Sequence, residues 1–147
     1  MLRVDDPDIL HKLNALSPGR FPALLGFCVM RVSDGALWSR LPLREDLLGP
    51  SGTTHAATVV GIADTSCGYG ARLALPGGAS GFTTIELKTN FLSSARAGAL
   101  ACEARLVHAG RSTQVWDASV TEEQSGRALA VFRCTQAILW PGTSNAR

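Results

Sequence analysis

Between Thr54 and Leu75 the sequence carries a single acidic residue, Asp64, set among small and apolar side chains. A carboxylate in such company is poorly hydrated. It titrates above its ordinary value, which strengthens it as a base or nucleophile near neutral pH. The plainer alternatives are an aspartate partly exposed on a helix surface, or one paired with a buried arginine such as Arg72 or Arg105. His55 lies nine residues earlier and suits either a turn-stabilising role or a substrate contact. Thr83 and Thr84 offer hydroxyls, although threonine also simply favours strands. Arg96, Arg111 and Ser112 suit phosphate oxygens, or are solvated turn residues. His11 and His108 lack partners at metal-ligand spacing, so no metal site is expected. No Ser-His-Asp arrangement stands out.

These residues need elements to hold them. Asp6-Pro7-Asp8 followed by Ile9, Leu10, Leu13 and Leu16 predicts a short amphipathic helix over about residues 6 to 16. Ser17-Pro18-Gly19 ends it. The apolar run Ala23 to Val32, the turn Ser33-Asp34-Gly35 and the run Ala36 to Leu41 predict two antiparallel strands. Thr54 to Leu75 has no proline and reads as a long central helix. Gly61, Gly68 and Gly70 are costly there, each by roughly 1 kcal/mol relative to alanine. Spacing gives a reason: Ala57, Gly61, Asp64, Gly68 and Ala71 fall on one face, a groove of small residues holding one carboxylate, more in keeping with packing than with a tunnel.

Beyond Pro76-Gly77-Gly78 the period becomes two, with Ile85, Leu87, Thr89 and Phe91 on one side and Glu86, Lys88 and Asn90 on the other. Three further runs, Ala99 to His108, Ser112 to Thr121 and Ala128 to Leu139, are joined tightly enough to form a meander. Two strands, a helix apolar nearly all round and four more strands make an α+β domain, a curved antiparallel sheet covering a buried helix. Residues 1–17 supply the N-terminal helix of that domain, 18–140 its body, and 141–147 a loose polar tail.

The bulk composition fits. The chain has 147 residues, 46% apolar and 18% charged, with a net charge of +2. That is one domain with a real core, and too little charge for nucleic acid. The opening Met1-Leu2-Arg3-Val4-Asp5-Asp6-Pro7 lacks the apolar run of a secretory signal, and no segment is apolar enough for a membrane span. A soluble, cytoplasmic protein is expected. Cys28, Cys67, Cys102 and Cys134 form no C-x-x-C pair and read as buried reduced thiols.

The segment Gly52-Thr53-Thr54-His55-Ala56-Ala57-Thr58-Val59-Val60-Gly61-Ile62-Ala63-Asp64-Thr65 resembles the signature of the hotdog-fold thioesterases of the PaaI-like, phenylacetate-pathway type. That family shows a His-Gly-Gly with an aspartate nine residues after the histidine. Leu24-Leu25-Gly26-Phe27, Thr84-Ile85-Glu86-Leu87-Lys88-Thr89-Asn90-Phe91-Leu92 and Val107-His108-Ala109-Gly110-Arg111-Ser112 match in register. The resemblance spans about residues 18 to 139. It implies a hotdog fold with about six strands around the helix, and hydrolysis of an acyl-CoA, with coenzyme A as part of the substrate and no separate cofactor.

The resemblance also implies roles. Asp64 would activate water or attack the thioester carbonyl, the Ala56 N–H would receive the oxyanion, and His55 would hold the turn. Thr84, or its neighbour Thr83, would position the lytic water from the partner subunit. Apart from the resemblance, Gly49, Ala57 and Gly68 are candidates to border the substrate, Arg96, Arg111 and Ser112 are candidates for the CoA phosphates on their chemistry, and Phe82, Leu73 and Tyr69 are candidates for an acyl pocket at the dimer interface. The family joins sheets edge to edge, with sites at the subunit interface, so a homodimer at minimum and a homotetramer by analogy are expected. Two departures stand out: Ala56-Ala57 replaces the usual Gly-Gly, and Gly49 stands where many relatives carry asparagine. They leave open a module that binds an acyl-CoA without turnover. A hotdog dehydratase or hydratase is disfavoured, because no histidine and second acidic group form its motif.

Overall fold

The structure, a computed structural model, describes residues 2–142; the end of the polar tail lies outside them. The chain runs α1 (Ile9–Asn14), α2 (Phe21–Leu25), β1 (Cys28–Ser33), β2 (Ala36–Pro42), a 3-10 turn (Glu45–Leu47), α3 (Ala56–Leu73), β3 (Gly81–Phe91), β4 (Ala99–Ala109), β5 (Thr113–Glu122) and β6 (Ala128–Leu139). All pairings are antiparallel, and the six strands lie in the order β1-β2-β4-β5-β6-β3. The long helix packs against β2 to β6. This is the hotdog arrangement that the resemblance implied.

Three expectations change in detail. The first helix is shorter than residues 6 to 16, and the central helix loses two residues at each end of 54 to 75. The run from Ala23 to Val32 is not one strand. Its first part belongs to α2, started by Pro22 in the first turn and closed by Gly26 at φ 76°, where the N–H groups of Gly26 and Phe27 bond back to Ala23 O at 3.0 Å and Pro22 O at 2.9 Å.

The third change is in β3. Strict alternation would put Thr84 on the face opposite Leu87 and Phe91. In the sheet, Thr84 pairs with Gln136 and Glu86 with Thr135, so Ile85 is an extra residue. Such a bulge re-aims the side chains on either side of it. Phe82 and Thr84 before it, and Leu87, Thr89 and Phe91 after it, pair with Ile138, Gln136, Cys134, Phe132 and Ala130. The bulge thereby turns Thr84 toward α3.

The core lies between the concave face of the sheet and α3, and Ile62, Ala63, Cys67, Ala71, Leu37, Leu100, Trp116, Val120 and Leu129 are buried in it. Two of the helix glycines answer to close approach. A β-carbon on Gly61 would stand 2.7 Å from Leu25 of α2, and Gly70 lies against Trp116. At Gly61 the face of small residues is thus packing. Cys67, Cys102 and Cys134 are buried free thiols, with Cys28 half-buried. Burial pushes Cys102 up to about 12. No helix among the described residues is long and apolar enough to cross a membrane.

Candidate active site

The site begins at the N-terminus of α3. His55 is the N-cap in extended conformation, and its Nδ1 accepts from Ala57 N–H at 3.0 Å. Imidazole replaces the usual Ser, Thr, Asp or Asn in satisfying one of the free amides of a helix start. The turn is anchored from outside: His55 N–H donates to Leu47 O at 3.1 Å, the Thr58 hydroxyl donates to the same carbonyl at 2.8 Å, and the Thr54 hydroxyl donates to Ala95 O at 2.9 Å. The Ala56 N–H has no acceptor among the described residues and faces solvent. It is a donor aimed outward where the helix dipole favours negative charge.

Alanine costs this turn nothing in backbone conformation. Residues 56 and 57 are helical, and no described non-glycine residue has positive φ, so the flexibility of a Gly-Gly pair is not required. Gly49 lies against the cap: a β-carbon there would sit 3.7 Å from the His55 ring, in ordinary contact. The position has room for the side chain it lacks.

Asp64 lies mid-helix and is half-buried. Burial raises its carboxyl above the ordinary value, and the Thr84 hydroxyl, 3.5 Å away, pulls weakly the other way. No salt bridge among the described residues involves it. Arg105 pairs with Glu103 instead, and Arg72 is exposed. The ion-pair alternative for Asp64 is therefore excluded within this chain. Thr84 reaches it from the same chain, whereas the sequence placed that threonine across a subunit boundary. Thr83, the next residue on the strand, is exposed and points to the other face.

Distance along the helix matters. Asp64 follows Ala56 by eight residues, which is about 12 Å of helix axis. One carbonyl cannot touch both within a single chain. Gly68, one turn past Asp64, borders a cavity of 280 Å³ lined by Leu16, Pro22, Tyr69, Arg72 and Phe82. Of the three side chains considered for an acyl pocket, Tyr69 and Phe82 line this cavity and Leu73 does not.

The phosphate candidates separate. Arg96 stands near the N-terminal end of α3, beside Ala95, which holds Thr54. It lines an open cleft of 860 Å³ with Arg40 and Arg127, away from Asp64, where Glu123 and Glu122 already pair with those two arginines at 2.6 and 3.2 Å. Arg111 and Ser112 lie at the opposite end, in the β4–β5 hairpin close to the last turn of α3, with Arg111 over the Trp140 ring at 5.3 Å. A helix of 18 residues spans about 27 Å, so Arg96 and Arg111 do not converge on one ligand within a chain.

Sequence reasoning missed Gln136, which is fully buried and within 2.9 Å of Thr84. Its only sequence signal is a polar side chain alternating with Cys134 and Ile138 in an apolar strand. Among the described residues no group of His, Cys, Asp or Glu is placed to hold a metal ion.

A six-stranded antiparallel sheet wrapped around one long helix is the hotdog frame. Residues 51–129 match the family model of the thioesterase superfamily. The 1,4-dihydroxy-2-naphthoyl-CoA hydrolase of Listeria monocytogenes is 30% identical over 114 residues, 78% of this chain and 91% of that one. Among solved structures, a mutant of thioesterase PA1618 from Pseudomonas aeruginosa superposes with a TM-score of 0.86 at 27% identity, covering 95% of this chain and 99% of that one. The PaaI protein of E. coli shares the fold, with a TM-score of 0.77 at 20% identity over 88% of this chain and 95% of its own. The chain belongs to the thioesterase superfamily, with the hotdog fold, and is an enzyme of the thioesterase class.

Proposed function

We propose that the protein hydrolyses acyl-CoA thioesters in the cytoplasm, as a dimer at minimum and a tetramer by analogy, with Asp64 as general base or nucleophile. The observation that carries this reading is the Asp64 carboxylate itself, half-buried, unpaired and raised by burial. Keeping such a group is costly unless it is used. As a base, Asp64 takes a proton from water while the water oxygen bonds to the thioester carbon. The carbonyl oxygen becomes an oxyanion, received by an Ala56 N–H. The C–S bond then breaks, the thiolate leaves and is protonated, and the acid is released. A thiolate leaves readily, so no strong general acid is needed.

The 12 Å between Ala56 and Asp64 makes the active unit a pair of chains, the carboxylate from one facing the helix N-terminus of the other. The free edge of β3 supports that pairing, since Ile85, Leu87 and Phe91 are 60%, 43% and 50% exposed and an open apolar edge strand is a pairing surface. The cavity beside Gly68, with Tyr69 and Phe82, suits an aromatic acyl group, in keeping with the naphthoyl-CoA hydrolases among the relatives.

Thiol release from a panel of short, medium, long and aryl acyl-CoAs tests the reading. Asp64→Asn and Asp64→Ala are expected to abolish turnover while remaining folded, and equal rates for variant and parent exclude the role. A second reading, binding without turnover, is favoured by Gly49, which leaves the His55 ring without a polar neighbour at that position. In that case the natural protein is inactive across the panel and Gly49→Asn creates activity.

A further inference from the structure

Thr84 carries one hydroxyl proton and has two acceptors within reach. Its Oγ1 lies 2.9 Å from Gln136 Oε1 and 3.5 Å from Asp64 Oδ1. The first is a normal hydroxyl hydrogen bond, and the second is too long to carry much energy. The amide that wins is also fixed. Gln136 is 0% exposed, and its Nε2 donates to Cys134 Sγ at 3.3 Å, so both ends of the side chain are occupied. A buried carbonyl deprived of its hydroxyl partner would pay the full cost of desolvation, which holds the arrangement in place.

The backbone prepares this contact. The bulge at Ile85 puts Thr84 directly opposite Gln136 in the β3–β6 ladder, on the face turned to α3. Without that extra residue, Thr84 would point away from the helix, and Ile85 rather than Thr84 would stand opposite Gln136.

We propose that Gln136 is a positioning residue for the Asp64 carboxylate: by claiming the Thr84 proton it leaves Asp64 without a strong donor from its own chain, its lone pairs free for water or the thioester. This rests on Asp64 being the catalytic group. The Thr84 oxygen, having given its proton away, becomes a second acceptor beside the carboxylate. A water donating to both oxygens keeps its own lone pair for the carbonyl carbon.

The titratable groups around Asp64 are few. Cys67 comes from α3 itself and Cys134 from β6, and the two sulfurs contact each other, which pushes the Cys67 thiol up and the Cys134 thiol down. Glu86, beyond the bulge, contacts Thr135 on the other face of the sheet, where Arg133 is also paired with Asp117. Among the described residues none of these supplies Asp64 with a hydrogen bond, so the titration reads which way the Thr84 hydroxyl is turned.

The test is the titration of the Asp64 carboxyl, followed by carbon-13 NMR in the full-length protein, together with the pH profile of kcat/KM. Thr84→Val is expected to raise the midpoint only slightly, because at 3.5 Å the lost hydroxyl served Asp64 weakly. Gln136→Leu frees the hydroxyl to turn, and is expected to lower the midpoint by about half a unit or more and to move the acid limb of the profile with it. The double variant is expected to return to the parent value, and Thr84→Ser to behave as the parent. Gln136→Met, close to glutamine in volume, answers the same question if leucine prevents folding. A midpoint that rises by about half a unit or more in Thr84→Val and stays put in the Gln136 variants overturns the proposal, because the amide then lies the other way round and the hydroxyl already serves Asp64. The NMR titration reads this whether or not the protein turns over, whereas persistent turnover by Asp64→Asn would sink the catalytic reading alone.

Discussion

Gly70 and Trp116 meet so closely that a β-carbon on the glycine would lie 2.6 Å from two atoms of the indole ring. The ring cannot easily retreat: Trp116 is 1% exposed and its Nε1 donates to Gln114 Oε1 at 2.9 Å, while Gln114 Nε2 in turn holds the Ala74 carbonyl at the end of α3. Gly70→Ala should gain about 1 kcal/mol of helix propensity and lose about 1–3 kcal/mol to overpacking. A net loss of roughly 1 kcal/mol is expected from denaturant midpoints. Gly68→Ala is the contrast. Its β-carbon would stand 3.5 Å from Phe82, an ordinary contact, so it should gain up to about 1 kcal/mol.

Ala56→Pro isolates the oxyanion donor. Ala56 is the first helical residue, where proline fits, and His55 before it already has the extended conformation proline demands. The substitution removes one N–H and little else. Unfolding should be nearly unchanged, with kcat lower by about 10²–10³. Parent-like kcat in a well-folded Ala56→Pro protein would remove the helix N-terminus from the mechanism.

Mixing variants asks whether the site is shared between chains. Ala56→Pro and Asp64→Asn each spoil both sites of a homodimer. Unfolded and refolded together, they form mixed dimers in which one site has both groups intact, so activity should rise well above either parent variant. No recovery in dimers shown to be mixed would mean that carboxylate and amide act within one chain.

His55 should behave as a cap. Replacing it with alanine leaves the Ala57 N–H unsatisfied and should cost about 0.5–2 kcal/mol, whereas His55→Asn, a good cap, should recover most of it. A His55→Ala protein as stable in urea as the parent would show that the imidazole contact contributes nothing to the fold.

Asp64 should weaken the fold as it ionises. Its folded carboxyl titrates above the value of 3.8 that serves for the unfolded chain. As pH rises from 3.8 through the folded value, the unfolded state has released its proton first, so stability falls across that window, and above it the penalty is complete. Asp64→Asn should therefore be the more stable protein at neutral pH, with the gap narrowing as the buffer is brought toward 3.8. Thermal melts of the two at several pH values check the sign.

The central helix and its carboxylate were legible because one acid among apolar residues breaks a pattern that periodicity makes visible. The strands after it were legible for the same reason. What stayed hidden were features without a periodic signature. The run containing Pro22 to Leu25 passes into β1 with only Gly26 to mark the change from helix to strand. The bulge at Ile85 involves no glycine, yet it decides which threonine faces Asp64. Arg96 and Arg111 look equivalent as isolated basic residues, and only the length of α3 shows that they stand at opposite ends.

Strand order carries a last consequence. β3 has one neighbour in the sheet, and that neighbour is the final strand, with Gly81 opposite Leu139 and Phe91 opposite Ala130. A nascent chain leaving the ribosome has synthesised its acid group some seventy residues before the glutamine that completes its surroundings. Until β6 emerges, β3 has no ladder to join and Thr84 has nowhere to send its proton. The β3 edge therefore stays open, and Thr84 without its glutamine, until residues 128–139 have been made.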